Sequence, residues 1–158
     1  MPTRVSSFDE IEAEFQRRIS RIVWCTMATI DPGNRPRSRI LHPVWEGSTG
    51  WIFTNRHSPK ERHIAHNPHV SLCYWDPAHE QIYAECKVAW MDDVAEKKRL
   101  WELFKSTPPP LGYDPILFWP GGSTDATFGV LKLSPWRIEM SSLAEMTTDT
   151  VKIWRSQS

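Results

Sequence analysis

Charge of one sign is what this chain lacks most plainly: 19 basic residues balance 19 acidic ones, for a formal net charge of zero. No global field therefore draws it to nucleic acid or to an anionic membrane surface, and any anion it binds must be held by a local cluster. Cysteine is scarce as well. Cys25, Cys73 and Cys86 are odd in number, far apart and without a CxxC, a pattern of buried reduced thiols and not of a disulfide framework or a zinc knuckle. No segment approaches the ~20 apolar residues of a membrane span, and the first residues show no apolar run preceded by basic ones. The expectation is a cytoplasmic protein with neither membrane nor nucleic acid as partner. Repeats, low-complexity tracts, a nucleophile elbow and a Ser/His/Asp order are also missing. Glu80, Glu85 and Glu139 show no paired-carboxylate spacing, so hydrolytic chemistry has no support.

What is present is globular. The 158 residues are 40% hydrophobic and 24% charged, enough to bury roughly two-thirds of the unfolded surface in one core, and a single domain over 1–158 is expected. Nine tryptophans are many for this length, and such rings anchor cores, ligand pockets and subunit surfaces.

Periodicity divides the chain into elements. Residues 7–20 read as an amphipathic helix, with a Ser7/Glu10 capping box and Phe8, Ile11, Phe15 and Ile19 at helical spacing. The period then becomes two. Strands are expected at 24–30, 37–45, 51–55, 69–75 and 81–91, the first two joined by the turn Asp31-Pro32-Gly33-Asn34. A second helix opens at Asp92-Asp93 and ends near Ser106, with Val94, Leu100, Trp101 and Phe104 on one face and Lys97, Lys98 and Arg99 solvated. A long irregular stretch, 108–122, has the length of a functional loop. Two further strands are expected at 127–133 and 135–140, and the tail from Thr147 reads either as a strand or as a docking segment. Many hairpin-connected strands with few helices indicate a mainly β, α+β chain built as an antiparallel barrel or sandwich with added helices.

The stretch from Trp51 to Asp76 carries the strongest chemical signal. Ser58 stands at a helix N-cap, Pro59 at the first helical position, Glu61 completes a Ser-x-x-Glu box, and Asn67-Pro68 ends the helix. Unpaired N–H groups at such a start, with Lys60 beside them, favour a phosphate or carboxylate. Arg37 and Arg39, two apart on a strand, leave the same face and offer guanidinium forks to an anion. Pairing of the strand from Trp51 with the Arg-bearing strand would bring Thr54, Asn55, Ser58 and Lys60 beside them.

With these residues in place, the chain resembles the FMN-binding split barrels of the pyridoxamine 5'-phosphate oxidase type, and among them the smaller general stress proteins. The resemblance runs in order through MATIDPGNRPRSRIL, WIFTNRHSPKERHIAHNPHVSLCYW, QIYAECKVAW and FWPGGSTDATFGVLKLSPWRIE. It implies a six-stranded antiparallel split β-barrel with peripheral helices, a homodimer with cofactor at the subunit interface, and hydride or electron transfer through flavin N5 to an unknown small substrate. Position by position, it implies that Arg39, with the backbone of Ile40 and Leu41 and with Arg37 as a second candidate, meets the flavin phosphate and ring edge. Phe53 and Thr54 lie beside the flavin, Ser58 and Lys60 receive the phosphate, and Gln81 reaches the flavin of the other subunit.

Departures shape the expectation. The oxidase pattern has a lysine where this chain has Val44, preceded by His42-Pro43, and a basic residue where it has Pro59, so vitamin B6 oxidation is not implied. The alternatives are a deazaflavin (coenzyme F420) reductase, with Arg35, Arg56 and Arg62 to hold a longer acidic tail, or a flavin-binding, redox-sensing stress protein without turnover. Haem held by His42 or His57 is a third. His63, His66 and His69 are not read as a metal site, because Asn67-Pro68 interrupts the helix between them. Trp119 is placed as a pocket residue of the long loop.

Overall fold

A computed structural model of the chain, describing residues 1–157, is built on one sheet of nine strands with four helices. In chain order these are β1 (Thr3–Val5), α1 (Asp9–Ile22), β2 (Cys25–Ile30), β3 (Pro36–Leu41), β4 (Val44–Glu46), β5 (Thr49–Asn55), α2 (Lys60–His66), β6 (His69–Trp75), β7 (Glu80–Trp90), α3 (Val94–Ser106), β8 (Phe128–Ser142), α4 (Leu143–Thr148) and β9 (Lys152–Arg155). The sheet runs β1-β9-β8-β7-β6-β2-β3, with β5 also on β8 and β4 on β5. All pairs are antiparallel except β1 with β9, so the sheet is mixed. It does not close on itself, and its architecture is that of a split barrel with helices at the periphery.

Three strand expectations change. The strand expected over 37–45 breaks at His42-Pro43, where the proline has no N–H for a ladder, and its two halves join different neighbours: β3 pairs with β2, β4 with β5. For the same reason the strand from Trp51 does not pair with the Arg-bearing strand; it lies between β4 and β8. The two strands expected around Ser134-Pro135 are one 15-residue β8, which absorbs the proline by a register shift opposite Glu85/Cys86 that leaves Trp136 unmatched. The split and the merger cancel, so β1 and β9 raise the count from the seven segments read from periodicity to nine, against six in the barrel that the resemblance implies. The tail forms α4 and then β9 on β8.

Two apolar clusters flank the sheet. In the first, Ile11, Phe15 and Ile19 of α1 pack on Met27, Leu72, Tyr74 and Ile82, and Phe15 meets Trp45 edge to face. Each fully buried side chain of this kind contributes ~1.5–3 kcal/mol. Burial pushes the Cys25 thiol up to about 12 and raises Cys86 too, and all three cysteines are free. In the second, Leu100, Trp101 and Phe104 of α3 cover Trp51, Phe53, Phe128 and Val130. Strand β5 belongs to both, since Ile52 faces the first cluster and Trp51 and Phe53 the second.

Helix ends depart from their motifs. The Ser7/Glu10 box is half made: Glu10 Oε1 accepts from the Ser6 and Ser7 backbone N–H groups, while the start of α1 has no side-chain cap. Asp93 caps α3 as its sequence suggests, accepting from the Glu96 N–H at 2.8 Å. Val94, expected on the buried face of α3, is 68% exposed. Lys97, expected in solvent, donates to the Phe128 carbonyl at 2.8 Å. Among the described residues, no helix is long and apolar enough to cross a membrane.

Candidate functional site

The β2–β3 hairpin forms as its turn demands, with Asn34 at φ +59° and the buried Asp31 carboxylate accepting from the Gly33 and Arg35 N–H groups at 2.9 and 3.0 Å. It leaves β3 at the end of the sheet, so one edge of its backbone has no strand neighbour among the described residues. Arg37 and Arg39 share a face, as their spacing requires, yet they differ in state. Arg37 is exposed, with Asp31 at 3.8 Å. Arg39 is partly buried and donates from Nη1 to Thr29 Oγ1 at 2.7 Å, with no carboxylate partner among the described residues. Burial, and then the charge of Arg37, lowers its pKa.

Strand β5 delivers the second half. Thr54 pairs with Gly129, where a Cβ would stand 2.9 Å from Arg56 Cα and 2.8 Å from the Trp90 ring, so only glycine lets the exit of β5 lie this close. The chain then turns through Asn55, whose carbonyl accepts from the Ser58 N–H, and enters α2. The expected capping box is not formed. The helix begins at Lys60, Pro59 has helical dihedrals, and Glu61 turns instead to Arg56 at 2.7 Å. Ser58 Oγ is consequently buried with no hydrogen-bond partner among the described residues. Lys60, half-buried and without a carboxylate partner among the described residues, has its pKa lowered by burial and then by Arg39. A buried hydroxyl without a partner and two cations without acidic partners among the described residues are groups able to donate to an anion.

The chain neighbours of Arg39 and Thr54 line a cavity of about 450 Å³, walled by Ile40 and Leu41 from β3, Phe53 from β5, and Tyr113, Phe118 and Trp119 from the long loop. None of the residues lining it carries a formal charge apart from a titratable His42, whose pKa burial lowers. His42 is wedged between the Trp24 and Tyr113 rings, and its Nε2 is buried with no hydrogen-bond partner among the described residues. Trp119 lines the cavity as expected. Ile40, 61% exposed, and Trp24, Leu117 and Phe118 form an apolar rim.

Of the nine candidate residues, Arg39 and Lys60 are close enough for the charge of one to lower the pKa of the other, Ser58 stands two residues before Lys60 and Arg37 two before Arg39; Ile40, Leu41 and Phe53 line the cavity, and Thr54 follows Phe53 on β5. Gln81 does not join them. It lies three strands away, where its amide oxygen accepts from Tyr83 at 2.8 Å and Ser141 at 3.3 Å. Two residues that sequence reasoning passed over do join them: Thr29, fully buried, and His63 of α2, whose Nδ1 is 2.8 Å from Thr29 Oγ1. Strand alternation already places Thr29 on the Arg37/Arg39 face, which was the available signal. Among the described residues, no group of three His, Cys, Asp or Glu side chains is placed to hold a metal.

Known proteins share this frame. A Burkholderia mallei pyridoxine/pyridoxamine 5'-phosphate oxidase is 37% identical over 65 residues, which are 40% of this chain and 30% of that relative's length. In structure, a Clostridium acetobutylicum protein related to general stress protein 26 superposes with a TM-score of 0.74 at 13% identity, covering 93% of this chain and 95% of its own. An FMN-binding, pyridoxamine 5'-phosphate oxidase-related protein of Nostoc punctiforme gives 0.64 at 17% identity, covering 89% and 86%. An F420 reductase gives 0.55 at 17%, covering 78% and 94%. At these identities the superpositions speak for the fold. The family itself is set by the sequence profile of pyridoxamine 5'-phosphate oxidase, which matches residues 11–141, and the chain belongs to that family.

Proposed function

We propose that this chain, as a single domain, is an FMN-binding oxidoreductase that works as a homodimer on a small, uncharged substrate. The observation that carries the reading is the buried Ser58 Oγ, unpartnered among the described residues and two positions before Lys60, whose pKa the Arg39 charge helps to lower, together with an apolar cavity lined by Ile40, Leu41 and Phe53, the chain neighbours of Arg39 and Thr54. A phosphate on a planar ring system fits both halves. Arg39, Ser58 and Lys60, with Arg37 at the margin, would hold the phosphate. The free backbone edge of β3 at Ile40 and Leu41, together with Phe53 and Thr54, would orient the ring and keep water from it. Bound FMN supplies reversible hydride or electron transfer through N5, while the protein supplies position and access.

Two further features bear on substrate and assembly. Val44, where the oxidase pattern has lysine, is buried in the second cluster and presents nothing to a ligand, which argues against a phosphorylated B6 vitamer. Exposed apolar residues around the cavity mouth, and exposed Trp75 paired in register with Gln81, suit a second subunit that brings Gln81 to its partner's cofactor.

The deazaflavin reading weakens on inspection of the rim. Arg35 is tied to Asp31 at 3.1 Å, and Arg56 to Glu61 and Asp92 while its guanidinium lies over Trp90 at 4.4 Å. Of the three arginines offered for an acidic tail, Arg62 alone has no ion pair among the described residues. The visible spectrum of the purified protein, with mass spectrometry of what acid releases, tests the reading. A two-banded yellow spectrum with FMN released supports it. A colourless protein that takes up the deazaflavin coenzyme but not FMN overturns it.

A further inference from the structure

We infer that Thr29, backed by His63, is the positioning residue of the anion site, aiming the Arg39 guanidinium without neutralising it. The inference rests on the phosphate seat proposed above and concerns how that seat is kept both ordered and charged.

Arg39 projects from a strand at the end of the sheet, where a long side chain has many rotamers to choose from. Its one protein acceptor among the described residues is Thr29 Oγ1, 2.7 Å from Nη1. Thr29 is fully buried on β2 and stands directly opposite Arg37. Since Arg39 can only donate, the threonine hydroxyl must spend its own proton elsewhere. Two acceptors are in range: His63 Nδ1 at 2.8 Å and the Arg37 carbonyl at 3.5 Å. The shorter contact takes the proton, which assigns His63 as the neutral tautomer with hydrogen on Nε2. Burial first, and then the Arg39 charge, lowers the His63 pKa and agrees with that assignment.

The chain is therefore Arg39 to Thr29 to His63, each donating to the next. A carboxylate at position 29 would hold the guanidinium more tightly, yet it would cancel the charge that an incoming phosphate needs. A neutral hydroxyl fixes the direction and leaves the cation whole. The same contact docks α2 on the hairpin, and His66 Nε2, 2.9 Å from Asn34 Oδ1, docks the other end of that helix. Ser58 and Lys60 at the start of α2 are thus registered against Arg39 through two side-chain bonds to one hairpin.

The test compares FMN with riboflavin, which carries the ring but no phosphate, by fluorescence titration of the full chain. Wild type is expected to prefer FMN. Thr29→Val should lower FMN affinity about tenfold and leave riboflavin affinity unchanged, and Thr29→Ser should restore FMN binding to within about threefold of wild type. His63→Leu, which keeps the hydroxyl and removes only its acceptor, should cost about threefold for FMN alone and carries the test if the valine variant does not fold. Unchanged FMN affinity in a folded Thr29→Val or His63→Leu protein overturns the inference. So does an equal loss for both ligands that serine fails to restore, since that marks a role in folding. A wild type that binds riboflavin as tightly as FMN removes the phosphate seat itself, and the inference with it.

Discussion

The rings of Phe53 and Phe104 stack with centroids 3.6 Å apart and planes 12° from parallel. Phe128 closes on Phe53 edge to face at 4.8 Å, so α3 and β8 together fix the aromatic face that Phe53 offers to the cavity. Phe104→Ala should cost ~3–5 kcal/mol in a urea melt. It should also weaken FMN and riboflavin alike, because the wall it supports meets the ring. Loss confined to FMN would show that the cavity is not the ring's site.

Ser58 gives a prediction of opposite sign for stability and binding. Its buried Oγ has no partner, so Ser58→Ala relieves an unsatisfied group and should leave the ligand-free protein unchanged or more stable by ~1 kcal/mol. FMN affinity should fall. Urea melts of the ligand-free proteins, set beside flavin titrations, check both. A marked destabilisation without ligand would mean that the hydroxyl serves the fold.

Arg39→Ala together with Lys60→Ala should abolish FMN retention through gel filtration while leaving the far-ultraviolet circular dichroism spectrum intact. Neither cation has a carboxylate partner among the described residues, and burial and then Arg39 lower the pKa of Lys60, so removing both also relieves like-charge repulsion. Stoichiometric flavin in the folded double variant would refute the phosphate seat.

Glu14 links α1 internally and reports on acid stability. Hydrogen bonds from Arg17 first, and then from the buried Arg18, hold its carboxyl at about 2. A folded value below the unfolded one, about 4.3, contributes stability above that pH and loses it as pH falls toward the folded value. Glu14→Gln should therefore be less stable than wild type at pH 7, with the gap closing between about pH 4.5 and 2. The urea midpoint measured against pH checks this, and a gap that persists at pH 2 would assign the effect to packing.

Much of this was legible in the sequence, and what was missed has physical causes. Periodicity located α1, α3, the β2–β3 hairpin and the body of the long strands, and the punctuation by Ser58, Pro59 and Asn67-Pro68 located α2. Proline misled in two directions. His42-Pro43 looked internal to a strand and ended one, whereas Ser134-Pro135 looked like a boundary and was taken up by a bulge. Local pattern does not say which neighbour a strand will find, so the pairing of β5 with β4 and β8 was out of reach. At the site, the residue types that bind anions were visible as Arg39, Ser58 and Lys60. The capping box was misjudged because Pro59 already has helical dihedrals: the Glu61 N–H donates to the Ser58 carbonyl at 2.9 Å and not to its hydroxyl, while Arg56 takes the Glu61 carboxylate. Thr29 and His63 stayed hidden because their role depends on α2 crossing the hairpin, a relation between segments 34 residues apart.

Strand β5 has no solvent face for most of its length, and this sets how the site can fluctuate. A strand with one wet face exchanges its amide protons by lifting locally toward water. Trp51, Ile52 and Phe53 are held between two cores, so their amides should exchange with deuterium only when the whole protein opens. The long loop over the other side of the cavity is held at points instead, by Trp119 in the second cluster and by the Tyr113 N–H on the Phe104 carbonyl at 3.1 Å, so its exposed amides, such as those of Leu117 and Phe118, should exchange faster. Any widening of the cavity for a ligand then has to come from the loop side, since the β5 side is fixed for as long as the protein stays folded.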